Sequence, residues 1–188
     1  KLDGRNRFVM YTDAIRNEHE DGVALETELR DAIRRGEFEL HFQPIYNPRS
    51  GTATMAEALL RWRHPRRGMV SPEIFIPLAE RTGLITVLGS WVLGEAIRSA
   101  LSWPRSVGVS VNVSARQFDH GHDIVGVVEA LLRMSGIEPQ RLTIEITESS
   151  LIDDPDHVVS RLVALRAPGV RIALDDFGTG YSSLSYLA

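Results

Sequence analysis

The sequence predicts an α/β fold of parallel βα units, barrel-like in type, with functional groups collected at the ends of strands. Three observations carry that reading. Runs with period-two alternation, clearest in Val107–Val113 (V-G-V-S-V-N-V), take turns with amphipathic helical segments. The connections between them are short, as in strand-helix-strand units. Four successive strands also deliver oxygen ligands: Glu57, then Asn112 and Ser114, then Glu145 and Glu148, then Asp175 and Asp176.

Composition bounds the chemistry. The 188 residues are 43% hydrophobic with a formal net charge of −4, enough to bury a core. Cysteine is absent from them, so any metal held here is held by oxygen or histidine. Basic residues are scattered rather than striped, which argues against a DNA or RNA polymer as partner. The most apolar stretch, Gly83–Ile97, is broken by Thr86, Ser90 and Glu95 and is too short to span a bilayer. No signal peptide is read at the start, and the composition is compatible with a cytoplasmic protein.

Taken in order, Asp3-Gly4 reads as a turn and Arg7–Tyr11 as a short strand. Residues 14–24 are polar and charged and read as a linker. Leu25–Arg35 carries apolar residues at 25, 29, 32 and 33, an amphipathic helix stopped by Gly36. Glu39–Tyr46 is a strand, Asn47–Gly51 a turn and Ala53–Trp62 a second strand. Ser71 precedes a helix over Pro72–Arg81, with proline at its first position and Gly83 after it. A further helix covers Val87–Leu101, then comes the strand Val107–Val113 and a helix over Ile124–Ser135 ending at Gly136. Leu142–Ile146 is a strand, Asp156–Leu165 a helix and Val170–Leu174 the last strand.

The last of these strands runs into I-A-L-D-D-F-G-T-G-Y at Ile172–Tyr181. Neighbouring strand residues point to opposite faces, so two adjacent aspartates converge only where the strand is ending. Side by side they repel, and a cation between them relieves it; a solvated Asp-Asp turn is the alternative. Each of the other oxygens also has a bland alternative, such as an edge-strand glutamate or a turn-capping asparagine. Together, at strand ends of a parallel fold, they form a set that repels itself unless cations sit among them. An oxygen-only set with one amide suits Mg²⁺ or Mn²⁺. Such cages serve phosphoryl chemistry, often with two metals, so spacing alone points to a Mg/Mn-dependent phosphate-ester enzyme.

At these residues the chain also resembles a family, the EAL-domain phosphodiesterases, which hydrolyse cyclic di-GMP to linear pGpG. Six motifs stand in the family's order: F-Q-P-I at Phe42–Ile45, Glu57-Ala58-Leu59 itself, P-E-I-F-I-P-L-A-E at Pro72–Glu80, V-N-V-S-A-R-Q at Val111–Gln117, E-I-T-E at Glu145–Glu148, and D-D-F-G-T-G-Y-S-S-L at Asp175–Leu184. The resemblance implies that Glu57, Asn112, Glu145 and Asp175 ligate metal, with Asp176 shared with a second metal and the attacking water. It implies Glu57, Asp175 and Asp176 as the catalytic set. Gln43, Leu59 and Arg61 match positions that hold substrate, Arg61 being suited to a phosphate oxygen. Glu148 matches a glutamate that orders the loop Phe177–Ser183, a loop linked in the family to dimerisation. The implied reaction is in-line attack by metal-activated hydroxide on one phosphodiester bond. The implied fold is a TIM-like (β/α)₈ barrel with one strand running against the others.

Three expectations about extent follow. Residues 1–13, through Gly4–Tyr11, resemble the last strand of a GGDEF diguanylate cyclase domain, with 14–24 as linker and 25–188 as the EAL domain. A (β/α)₈ barrel takes about 250 residues, so its last strands and helices are expected to be missing here and the chain to be inactive or nearly so alone. The alternative function is a non-catalytic cyclic di-GMP sensor or protein-interaction module. Among weaker signals, His120 and His122 (D-H-G-H-D) read as a polar loop rather than a metal pair. Trp62, Trp91 and Trp103 read as core, and His41 as a partly buried, satisfied histidine.

Overall fold

A computed structural model of the chain describes residues 13–147 and 154–175, with side chains from Ala24 onward. Along these residues run α1 (Asp13–Arg35), β1 (Phe38–Tyr46), β2 (Ala53–His64), β3 (Gly68–Val70), α2 (Pro72–Arg81), α3 (Leu84–Ala100), β4 (Gly108–Asn112), α4 (Ile124–Ser135), β5 (Leu142–Thr147), α5 (Pro155–Arg166) and β6 (Arg171–Asp175), with 3₁₀ turns at Ala115–Phe118 and Pro139–Arg141. The sheet order is β1-β2-β4-β5-β6, with β3 pairing β2. Strands β2, β4, β5 and β6 run parallel to one another, joined through helices. β1 runs antiparallel to β2, the reversal that the resemblance led us to expect. Among the described residues β1 and β6 do not pair, and no helix is long and apolar enough to cross a membrane.

Most expected elements stand within a few residues of where the pattern put them, and α4 stands on Ile124–Ser135. Two differ. Helix α1 starts at Asp13, so the segment 14–24 read as a linker is helical in its backbone. That segment has no proline and a single glycine, and charge by itself does not break a helix. The short β3 went unread because three residues give no period. It is held by a turn in which His64 Nδ1 accepts the amides of Arg66 and Arg67, with Gly68 at φ 72°. Glu28 of α1 then accepts from Arg66 at 2.6 Å and Arg67 at 2.9 Å, fastening the helix to this turn. The expected strand Arg7–Tyr11 lies outside the described residues.

The core sits between the sheet and the helices. Ala58, Val109, Val111, Leu142, Ile144 and Ile146 face α3, α4 and α5 in one cluster. Leu25, Leu29, Trp62, Phe75 and Leu88 form a second beneath α1 and α2. At the N-terminal ends of the strands, the buried Arg141 guanidinium donates to the carbonyls of Ala100 and Val107. Gly108 is required there: a Cβ would lie 2.8 Å from the Arg141 carbonyl oxygen, which belongs to backbone and cannot yield. Gly108→Ala is therefore expected to cost about 1–3 kcal/mol, visible as a lower midpoint in a denaturant melt.

Candidate functional site

Strand register decides which residues meet. Gln43 pairs with Glu57, Glu57 with Ser110, Asn112 with Glu145, and Thr147 with Asp175. Partners in register share a face, and residues two apart on one strand share it too. Gln43, Glu57, Leu59, Arg61, Ser110, Asn112, Thr143, Glu145, Thr147 and Asp175 thus occupy one face, while the apolar residues between them take the helix-covered face. This explains a sequence feature that periodicity alone left open. In V-S-V-N-V and L-T-I-E-I the hydrophobic positions pack toward the helices and the polar ones take the opposite face.

Within that face Asn112 Nδ2 donates to Glu57 Oε1 at 2.7 Å. The bond turns the amide so that its own oxygen stays available as a donor to a cation. Burial pushes the Glu145 carboxyl above the usual glutamate range; the Ser110 hydroxyl opposes the shift, and the negative charges of Glu57 and Asp175 add to it. Ser110 is wholly buried beneath this face, opposite Glu57 in register. A half-buried carboxylate that feels the negative charges of two others is an arrangement that a cation would stabilise.

The sign of the Glu145 shift gives a prediction. Its folded-state pKa lies above the unfolded value, so the folded chain keeps a proton that the unfolded chain has lost. With divalent cations chelated, stability should fall as pH rises from 4.5 through the raised value. Thermal melts across that window should show the decline, and Glu145→Gln should flatten it.

A cavity of about 470 Å³ opens on this face, lined in part by Leu59, Arg61, Asn112, Glu145 and Thr147. Arg61 donates to the Leu60 carbonyl at 3.0 Å, which steadies its stem while leaving other guanidinium donors for an anion. Glu80 of α2 also lines it and was not singled out by sequence reasoning. It accepts from Ser114 Oγ at 2.7 Å, while Ser114 and Gln117 form a capping box on the 3₁₀ turn. Ser114 is therefore engaged as a cap. Period-two counting back from Asn112 would have found Ser110.

The remaining expectations divide. Trp62 is wholly buried with its Nε1 donating to Glu37, and Trp103 packs edge-on to Phe42 at 5.0 Å, so these are core residues. Trp91 is half-buried against both clusters. His41, expected to be partly buried, is exposed and pairs with Glu39 at 3.0 Å, because β1 is an outer strand whose open face nothing described covers. Glu148, Asp176 and the loop Phe177–Ser183 lie outside the described residues.

Comparison with known proteins places this geometry. The family model of the EAL domain matches residues 26–188. The bifunctional diguanylate cyclase/cyclic di-GMP phosphodiesterase MucR of Pseudomonas aeruginosa is 42% identical over 191 residues, covering 100% of this chain and 28% of that protein. The cyclic di-GMP phosphodiesterase PdeR of Escherichia coli is 37% identical, covering 100% of this chain and 29% of that one. The chain thus spans well under a third of the length of these relatives. Among solved structures, the MucR phosphodiesterase in complex with c-di-GMP matches with TM-score 0.81 and 43% identity, over 87% of this chain and 68% of that one. The cGMP-bound EAL enzyme Bd1971 matches with TM-score 0.80 and 34% identity, over 91% of this chain and 49% of that one.

Proposed function

Because the chain belongs to the EAL domain family, with the α/β, TIM-like fold of its structures, we propose that it is the metal-dependent part of a phosphodiesterase that hydrolyses cyclic di-GMP to linear pGpG. The observation that carries this reading is the convergence of Glu57, Asn112, Glu145 and Asp175 on one face, beside a cavity lined by Leu59 and Arg61. Relatives named as cyclic di-GMP phosphodiesterases support the substrate.

The donor set fits Mg²⁺ or Mn²⁺: carboxylates and one amide oxygen, with the charges of Glu57 and Asp175 felt at Glu145. Glu57, Asn112, Glu145 and Asp175, with Asp176, would hold the cations, which supply Lewis acidity and neutralise phosphate charge. The protein's own part is positional. Asn112 holds the Glu57 carboxylate in place, and Arg61 offers charged donors to a phosphate oxygen. Gln43, opposite Glu57 in register, lies where a substrate amide or base edge would be read. The apolar wall of Leu59 and Ile76 keeps one side of the cavity dry.

The proposal extends to context. Glu148 positions the loop Phe177–Ser183, the EAL domain pairs with a second copy, and a GGDEF domain, of which residues 1–13 are the tail, precedes it in a cytoplasmic signalling protein. The motif at Gly4–Tyr11 and the bifunctional relative MucR support that order.

Chromatography of cyclic di-GMP digests tests the proposal. The 188 residues should be compared with a version extended to the full span of the MucR phosphodiesterase domain. pGpG should form with the extended version in Mg²⁺ or Mn²⁺ and stop on chelation. Binding without turnover in both versions would replace the enzyme with a cyclic di-GMP sensor.

A further inference from the structure

A second group of metal-ligating side chains stands apart from the carboxylates on the strand face. His120 follows the 3₁₀ turn after β4, whereas Asp154 and His157 open α5. One donor atom from each lies within 4.8 Å of the other two. His120, read from the sequence as part of a polar loop, meets a ring from another element: it lies against His157, with centroids 3.9 Å apart.

We propose that His120, Asp154 and His157 form a surface site for a borderline divalent cation of the Zn²⁺ type. Three features support it. His120 Nε2 and Asp154 Oδ2 are 3.4 Å apart, close to the roughly 3.4 Å edge of a tetrahedron with ordinary Zn–N and Zn–O bonds. His157 Nε2 lies 2.8 Å from the Phe118 carbonyl, which can only accept, so Nε2 carries the proton and Nδ1 keeps the lone pair. A ring N–H given to a backbone carbonyl is the usual outer support of a metal-bound histidine. Asp154 divides its oxygens: Oδ1 accepts the His157 amide as the cap of α5, and Oδ2 faces His120. Capping therefore pre-orients the carboxylate without using the oxygen a metal would need.

Two imidazoles and one carboxylate leave a fourth position for water, a set that selects Zn²⁺ over the hard Mg²⁺. A cation there ties the segment after β4 to the start of α5, and so links the two connections that follow Asn112 and Glu145. An exposed histidine–carboxylate pair that only caps a helix would make none of the following happen.

Zn²⁺ binding to the whole chain, read by competition with a chromophoric chelator, tests the site. Co²⁺ absorption reports whether the coordination is tetrahedral. His120→Ala should weaken one Zn²⁺ by at least about a hundredfold, since loss of a mere supporting contact already costs tenfold or more. His157→Ala should do the same, and Zn²⁺ should raise the melting temperature of the parent but not of His120→Ala. His122→Ala and Glu57→Gln should leave this Zn²⁺ in place. Unchanged binding in His120→Ala, or loss in Glu57→Gln instead, overturns the site. His120 is largely exposed, so its replacement decides the matter even if His157→Ala does not fold.

Discussion

Glu57→Gln is expected to lower turnover of cyclic di-GMP by at least about a hundredfold, in the form of the protein that turns over, with a much smaller change in substrate Kd. Glu57 stands at the crossing of three strands, opposite Gln43 on β1 and Ser110 on β4. Its Oε1 also accepts the Asn112 amide at 2.7 Å. Glutamine preserves the shape but removes the charge. With its nitrogen at that position it would set two amide donors against each other and turn Asn112 away from the cations. Asp175→Asn should act alike, because its charge is felt at Glu145 across β5 and β6. Binding should survive better, since Gln43, Leu59 and Arg61 remain. Steady-state kinetics with calorimetry separates the effects: equal losses in kcat and in substrate affinity would mean that Glu57 holds substrate rather than metal.

The second large effect concerns stability. Arg141→Met should destabilise the fold by about 3 kcal/mol, because apolar replacement removes the buried charged donor that the Ala100 and Val107 carbonyls share. Arg141 is 8% exposed and its Nη2 lies 2.6 Å from the Ala100 carbonyl and 2.9 Å from that of Val107. These carbonyls lie at the end of α3, where Ala100 also accepts the Trp103 amide at 3.1 Å, and just before β4. For a domain of this size the melting temperature should drop by roughly 6–12 °C, measurable by circular dichroism. A drop of under about 2 °C would mean that water replaces the guanidinium at little cost.

Arg141 also shows where the sequence stops being legible. An arginine between proline, glutamine and a strand reads as surface, and only the folded chain puts three backbone carbonyls around it. The same holds for Glu80 and Ser114, separated by 34 positions and joined by a hydrogen bond. By contrast, which oxygens share a face was legible because parity is a local property, although Glu57, read at a strand end, stands within β2. Once Val107–Val113 is a strand, Asn112 must share a face with Ser110 and not with Val111. What parity cannot say is which neighbouring strand stands in register; the pairings Glu57–Ser110 and Asn112–Glu145 supply that. His120 and His122 read as a polar loop, and the contact of His120 with His157 lay outside that reading. Its neighbour in sequence, His122, shares a turn, but the approach of α5 decides which ring it meets.

The most direct test is Mn²⁺ binding by electron paramagnetic resonance, because it needs no turnover. The chain should immobilise Mn²⁺, the Glu57→Gln/Asp175→Asn double variant should lose it, and His120→Ala should keep it. Equal Mn²⁺ binding by the parent and the double variant would contradict a metal centre built from the strand-end carboxylates.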